Sequence, residues 1–579
     1  MKMKLSRRWD LLALALILVL ALAVRLLGIC RGLPYVYYTD ESLIINHALA
    51  FGTGDLNPHD FIYPSLYMYL LFFIYGVSYV VGWALGVFNS TNDFIRLFFE
   101  DVTLFYLPGR LIAALCGVTS VWVVYLFGRR AYDVRVGLIG AAFLCFSVLH
   151  VTFSHYTKAH VPAGMLVIIG LYLAWSIYNG GRGWRSYLLA GAVAGLAAST
   201  IYHAGFVIVS VVVAHLLCWH DSLKRASEVR LLSPKLFGAI GVCFAAFVLG
   251  TPFALLDWRT FLGDLTSHGA MFLHGGFWEK SPFYPLTSLV GNIGRPLGYL
   301  SLMGLAHALF RRRPADLILA SQPLFLIAFL MVFPIKEPQH MLIAFPAVAL
   351  LSASFVVDVL TYLIRRRTWQ TAILITATIV LLLAPARRSF QASYQMSLPD
   401  TRSVAKDWVE QNIRPGSKLV MDSGKYYLSV YGPPLRPSRW TLEQFIARSK
   451  SPTDQDLFQR VGSRRAGYAG EAEFFRYQLQ SLDDRPGYDI IQILHDPGLA
   501  QADVLTLDEY KRMGVEYAIV SSKAFNIYAP DDEQSIVHPD KAARYRDFYQ
   551  ALEAEAALIK EFIPSDELQG PILRIYRIL

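Results

Sequence analysis

The chain has 579 residues, 55% of them hydrophobic and only 17% charged. That balance excludes an ordinary soluble domain and marks an integral membrane protein. The net charge of +9 comes from Lys and Arg in short loops between apolar runs rather than on one continuous face, so it describes membrane topology and excludes a nucleic-acid partner.

The N-terminus, MKMKLSRRWD followed by LLALALILVLALAVRLLGI, starts like a secretory signal. Its apolar run of about 19 residues is too long for one, and no small-residue cleavage site follows. It predicts a retained anchor helix with a cytoplasmic N-terminus. Further apolar segments lie near 64–88, 107–127, 137–153, 161–178, 187–201, 204–219, 236–251, 283–309, 316–334, 341–363 and 369–385. The basic loops at Arg129-Arg130-Arg135, Arg182-Arg185, Lys224-Arg225-Arg230-Lys235, Arg311-Arg312-Arg313 and Arg365-Arg366-Arg367 all fall on the cytoplasmic side if 64–88 does not cross. They all move outside if it does. The charge pattern therefore predicts a re-entrant or interfacial 64–88, about eleven spans and an external C-terminus. External segments are then a large first loop at 30–106, 154–160, a tight turn near 199–203, 252–282, 335–340 and everything after 386.

The composition shifts at about Ser389, where charged residues become frequent and apolar runs shorten. The division is a membrane domain over 1–388 and a soluble, extracytoplasmic mixed α/β domain over 389–579. TRSVAKDWVEQNI and AARYRDFYQALEAEAALI have helical periodicity, whereas KLVM, YDIIQIL, VEYAIVSS and PILRIYRIL read as strands. This domain has no cysteine. The chain's five, Cys30, Cys116, Cys145, Cys218 and Cys243, lie in or beside apolar segments without metal spacing and read as packing residues.

The acidic pair Asp40-Glu41 stands just beyond the first span. Two adjacent carboxylates in an apolar, otherwise basic region carry a desolvation cost, and such acids are functional candidates. Asp40 also precedes the apolar-periodic run ESLIINHALAF, where an Asp is a common helix N-cap. Both roles fit the residues.

A basic N-terminus, one span, TDES with the amphipathic IINHALAFGTG, then YPSLYMYLL and PGRLIAALCG, in that order, resembles the polyprenyl-phosphate-sugar-dependent GT-C glycosyltransferases. The branch is that of the bacterial and archaeal relatives of protein O-mannosyltransferases and of lipid A aminoarabinose transferases. HYTKAHVPAGMLVIIGLYL, GLAASTIYHAGF, GTPFALLDWRTFLGDL and IKEPQHMLIAFPAVALLSA extend the similarity to about residue 385. The chain departs from the pattern at Ile201, where many relatives carry Lys, and at His340-Met341, where many carry Arg-Tyr.

The resemblance implies an α-helical polytopic enzyme that moves a sugar from a polyprenyl-phosphate donor to a hydroxyl acceptor, on protein, glycolipid or cell-envelope polymer, with inversion. A general base would help a poorly acidic hydroxyl attack by about 10²–10⁴-fold. Asp40 is the residue for that role, with Glu41 as support. A leaving phosphate calls for cations or N–H donors. The candidates are Lys158, Arg110, His155, His160, Lys336 and His340, with Lys158 first because SHYTKAH interrupts two apolar segments. Their structural alternatives are a snorkelling anchor for Lys158, pairing of Arg110 with Glu100 or Asp101, and ordinary hydrogen-bonded histidines. Tyr38, His59, Tyr63 and Tyr202 are candidate substrate-binding residues, although NPHDFIYPS also reads as turn chemistry. A further external loop holds Asp257, His268, His274, Trp278 and Glu279; Trp and Tyr fit sugar stacking or a membrane belt. The external loops before residue 386 contain no DxD, so no metal or other cofactor is expected. The rival classes are a transporter or flippase of a lipid-linked sugar and a non-catalytic scaffold. A transporter would place its polar sites in broken midplane helices, whereas here they gather in the external loops.

Overall fold

In the computed structural model, residues 7–225, 229–274, 281–333, 336–364, 366–423, 429–448, 475–476, 478–480, 482, 487–495, 504–530 and 539–579 are described. Trp278 and Glu279 lie outside them. Eight helices among the described residues are long and apolar enough to cross a membrane: Arg8–Leu26, Leu66–Ala84, Thr103–Ala131, His160–Tyr178, Tyr202–Leu223, Pro314–Val332, Pro338–Leu363 and Thr368–Ser397. At ~1.5 Å per residue even the 19-residue members reach about 29 Å, close to the ~30 Å of a bilayer's hydrocarbon core. The chain is a multi-pass membrane protein.

Three expectations for the apolar segments change. The run at 137–153 is two helices, Val134–Cys145 and Val148–Phe153. Asp133 caps the first by accepting from the Val136 amide at 3.0 Å. The chain leaves helical geometry at Ser147, and the Ser389 hydroxyl donates to the Phe146 carbonyl at 2.9 Å, so the break leaves that acceptor satisfied. The run at 283–309 is also two helices, Tyr284–Ile293 and Arg295–Arg311, separated at Gly294 with φ +106°. Only glycine adopts that backbone without strain, and Pro296 then suits the first turn of the next helix. Finally, Leu66–Ala84 is a single unbroken helix. An unbroken helix is not a re-entrant hairpin, which corrects that part of the expectation; its length and composition suffice for crossing.

The chain forms two compact units. The first comprises Met1–Ile29, Phe61–Phe72 and Leu107–Tyr394, and the second Cys30–Asp60, Phe73–Tyr106 and Gln395–Leu579. The helix Arg367–Ser397 continues past Ser389, because QASYQMS contains no breaker. All five cysteines are free; Cys145 and Cys218 are buried as packing residues, but Cys30 is exposed.

The soluble part of the second unit is built on a five-stranded sheet: β1 Lys418–Ser423, β2 Asp489–Leu494, β3 Tyr517–Ser521, β4 Ala557–Phe562 and β5 Leu573–Arg577. The order is β2-β1-β3-β5-β4, with β1 parallel to both β2 and β3 and the pairs β3–β5 and β4–β5 antiparallel. Alternation along β1 sends Leu419 and Met421 into one apolar cluster and Val420 into another, so both faces of this central strand are covered. The expected helix TRSVAKDWVEQNI forms as Thr401–Asn412, capped by Asp400. The second expected helix stops at Glu555, and the ALI that follows belongs to β4. ALIKEF has the composition of a helix continuing EAEAA; pairing with β5 overrides that propensity.

Candidate functional site

In the first unit, the interruption between the helices Val148–Phe153 and His160–Tyr178 carries the polar residues expected for phosphate. Lys158 is only 1% exposed, and its ammonium lies 5.5 Å over the Phe153 ring. A snorkelling lysine keeps its ammonium in water, so burial removes that alternative. Lys336, just before the 3₁₀ turn Pro338–Ala344, is 2% exposed. Glycine brings the Arg110 helix close to this loop: a Cβ on Gly109 would lie 2.4 Å from the Thr157 side chain. Arg110 is buried, and its Nη1 donates to the Ile29 carbonyl at 2.9 Å. The acids named as its alternative partners have local ones, Glu100 bonding Arg96 at 2.9 Å and Asp101 accepting from the Thr103 amide at 2.8 Å.

Three histidines meet beside Lys158. The ring of His160 lies 6.4 Å from that of His340, stacked, and His340 lies 5.7 Å from His203, edge-on. Tyr63 approaches His160 edge-on at 6.5 Å. Lys158, His340 and His203 are all near enough to act electrostatically on His160. His340 Nδ1 accepts from the Glu337 amide at 3.2 Å. By contrast, Nδ1 of His160 and Nε2 of His203 are buried with no hydrogen-bond partner. Buried polar atoms are nearly always paired, so two orphans in one cluster indicate a place for a ligand's polar atoms. His203 was not among the sequence candidates, although it adjoins Tyr202 in a turn read as external.

Two expected residues have structural duties instead. His155 Nδ1 and Nε2 each lie 2.9 Å from a carbonyl oxygen, of Val151 and Leu27. Burial pushes its pKa down, and a neutral ring has one N–H to donate, so no donor remains for a phosphate. Tyr202 directs its hydroxyl to the Phe61 carbonyl at 2.9 Å, which leaves its half-buried ring for contact.

In the second unit, Asp40 and Glu41 sit in the first turn of the helix Thr39–Ala50, where acids are favoured by the helix dipole. The N-cap is Tyr38, with no side-chain cap bond, so Asp40 is not the cap. The two neighbours differ sharply in burial: Glu41 is fully buried, and Asp40 is exposed and accepts from the Tyr38 hydroxyl at 3.1 Å. The preceding Tyr37 is fixed by a 2.6 Å bond to Ser403 Oγ and by the Arg402 guanidinium 3.9 Å over its ring. Arg402 itself forms a buried pair with Asp400 at 2.7 Å. His59 belongs to a turn. It has φ +51°, its amide donates to Asn57, and its Nε2 lies 2.7 Å from Asp55, an arrangement that holds the exposed Asp55 carboxyl below its usual pKa.

Residues 94–250 match the family model described as dolichyl-phosphate-mannose-protein mannosyltransferase. Among solved structures, ArnT from Cupriavidus metallidurans, bound to undecaprenyl phosphate, aligns with a TM-score of 0.50 at 12% identity, over 98% of each chain. This chain has the GT-C fold. The archaeal oligosaccharyltransferase AglB from Archaeoglobus fulgidus, in complex with an inhibitory peptide and a dolichol-phosphate, aligns with a TM-score of 0.48 at 12% identity, over 92% of this chain and 72% of that one. The Saccharomyces cerevisiae protein O-mannosyltransferase Pmt1-Pmt2 complex, bound to the sugar donor, aligns with a TM-score of 0.32 at 21% identity, over 48% of this chain and 36% of that one. No curated protein matches the sequence. The segment that matches the family model runs from before Arg110 to beyond His203 and includes Lys158 and His160.

Proposed function

We propose that this GT-C chain is a membrane glycosyltransferase that transfers a sugar from a polyprenyl-phosphate donor to a hydroxyl acceptor. The observation that carries the reading is the cluster of the buried Lys158 and His160 with the half-buried His203 and His340, in which two imidazole nitrogens lack partners. Ammonium and imidazole N–H groups in an apolar setting suit the oxygens of a leaving phosphate, on which charge develops during transfer. Arg110 and Lys336 add positive charge to the same unit. Tyr63 and Tyr202 offer half-buried rings to the donor sugar.

Asp40 is the base. Its exposure lets it reach an acceptor hydroxyl, whereas the buried Glu41 holds the helix. Asp40 takes the hydroxyl proton as the acceptor oxygen bonds the anomeric carbon. The bond from that carbon to the phosphate oxygen breaks, and polyprenyl phosphate leaves from the opposite face. The product is the inverted glycoside. Asp40→Asn is expected to lower kcat by about 10²–10⁴-fold with the fold unchanged; unchanged transfer would remove Asp40 from the reaction.

The acceptor is a hydroxyl on a protein or glycolipid of the cell envelope. The proposed orientation, N-terminus cytoplasmic and residues after 397 extracytoplasmic, follows the basic loops. Transfer is proposed to be metal-independent, and activity in excess EDTA is the check. The deciding assay is purified protein with polyprenyl-phosphate sugars and hydroxyl acceptors. A covalent glycoside supports the reading, and movement of the lipid-linked sugar without one makes the chain a transporter.

A further inference from the structure

The soluble part of the second unit holds a buried polar network that the proposed transfer does not use. Asp422, in β1, and His495, directly after β2, meet at 2.8 Å with both side chains buried. Asp422 also accepts from the Tyr549 hydroxyl at 2.9 Å and the Ser521 amide at 2.8 Å. The other ring nitrogen of His495 lies 3.2 Å from the Tyr528 hydroxyl. These groups gather where the parallel strands β1, β2 and β3 end, the edge at which open α/β sheets place their ligands.

Tyr528 and Tyr549 are also two walls of a cavity of about 130 Å³. Their hydroxyl tips are held by His495 and Asp422, so the cavity meets aromatic rings fixed in place. Tyr528 is further stacked on Tyr545 at 4.1 Å, and Phe525 meets Tyr549 edge-on at 5.9 Å. The polar side of the cavity comes from Arg546, Gln550, Glu553 and Arg574. Arg574 is engaged by Glu553 at 2.6 Å and Glu561 at 2.7 Å.

We infer that this cavity binds one pyranose ring of a glycan, at a second saccharide site separate from the transfer chemistry. The volume is well below the ~300–1,000 Å³ that encloses a drug-sized ligand, so the occupant is a single ring rather than a lipid chain. Fixed aromatic faces suit the C–H face of a sugar, as in other amphipathic contacts of tyrosine. The mixed amide, carboxylate and guanidinium groups suit its hydroxyls. A phosphate would want unopposed positive charge, and here two carboxylates oppose Arg574.

The test is saturation-transfer NMR on the full chain in micelles with the methyl pyranosides of mannose, glucose, galactose and N-acetylglucosamine. At least one glycoside is expected to show ring-proton transfer in the wild type, and equally in Asp40→Asn. The signal is expected to fall about fivefold or more, roughly 1 kcal/mol of binding, in Tyr549→Ala and in the double variant Gln550→Ala/Glu553→Ala. Gln550 and Glu553 are both exposed, so the double variant keeps its fold even if Tyr549→Ala does not. Absence of signal from all four glycosides overturns the inference, as does a signal that the double variant leaves undiminished. Neither result depends on whether the chain transfers sugar, because Asp40→Asn disables transfer and leaves this site intact.

Discussion

The two units treat buried histidine in opposite ways. In the first, His160 and His203 each keep a ring nitrogen without a partner. In the second, both ring nitrogens of His495 are engaged, one by Asp422 and one by Tyr528. A closed network directs its polarity inward and fixes the shape of what surrounds it. An open one carries a penalty of about 1–3 kcal/mol for each unsatisfied buried group, and that penalty is relieved when a ligand supplies the missing atoms. Burial alone therefore does not mark a functional histidine; unfilled hydrogen-bonding capacity does.

The strongest way to break this contrast is Asp422→Ala. It leaves His495, the Tyr549 hydroxyl and the Ser521 amide without their acceptor, and is expected to destabilise the soluble domain by about 3–5 kcal/mol. Thermal unfolding followed by limited proteolysis reads the effect, and wild-type resistance would mean that the closed network holds nothing. Next come His203→Phe and His160→Phe, each expected to lower kcat about 10²–10³-fold, the scale of losing one donor to developing charge. Their stability should stay equal or rise, because an unsatisfied atom is removed; unfolding would assign these histidines to structure. His155→Phe, which deletes the N–H that serves the Val151 or Leu27 carbonyl, is expected to reverse that pattern. It should lose about 1–3 kcal/mol of stability while kcat falls less than in the His203 variant, as paired melting and turnover measurements would show. The smallest effect is that of Tyr37→Phe. It deletes the bond to Ser403 but keeps the ring under Arg402, and should change stability by about 1 kcal/mol. A loss beyond about 3 kcal/mol in denaturant titration would give that hydroxyl a larger role than one bond.

Local chemistry explains what the sequence revealed. SHYTKAH stood out because charge interrupts two apolar runs, and the strands KLVM, YDIIQIL, VEYAIVSS and PILRIYRIL because β-branched residues gather between turn formers. Asp40 and Glu41 were visible as a pair, but their division into an exposed and a buried acid was not, since helix phase and packing decide it. The breaks at Ser147 and Gly294 were hidden because hydropathy averages across them. Hydropathy also could not show that Ser389 would answer the Phe146 carbonyl from far along the chain. His203 looked like one more residue of an interfacial turn until His340 came beside it. The Asp422–His495 pair joins residues 73 positions apart, and no motif spacing announces it. Strand β4 was masked by helix-forming residues, and only its partner β5 explains it.

The sheet order β2-β1-β3-β5-β4 has a consequence for synthesis. The central strand β1 emerges first, yet its neighbours are made much later, and β3 gains its second partner only when Leu573–Arg577 is complete. Until then β3 keeps an open edge, the kind of surface that invites pairing between chains. Strand β5 thus acts as a latch on the sheet. A chain cut short before β5 would keep the eight apolar helices described above and carry an adhesive sheet edge, so cellular quality control would have to recognise it by that edge rather than by the loss of one of those helices.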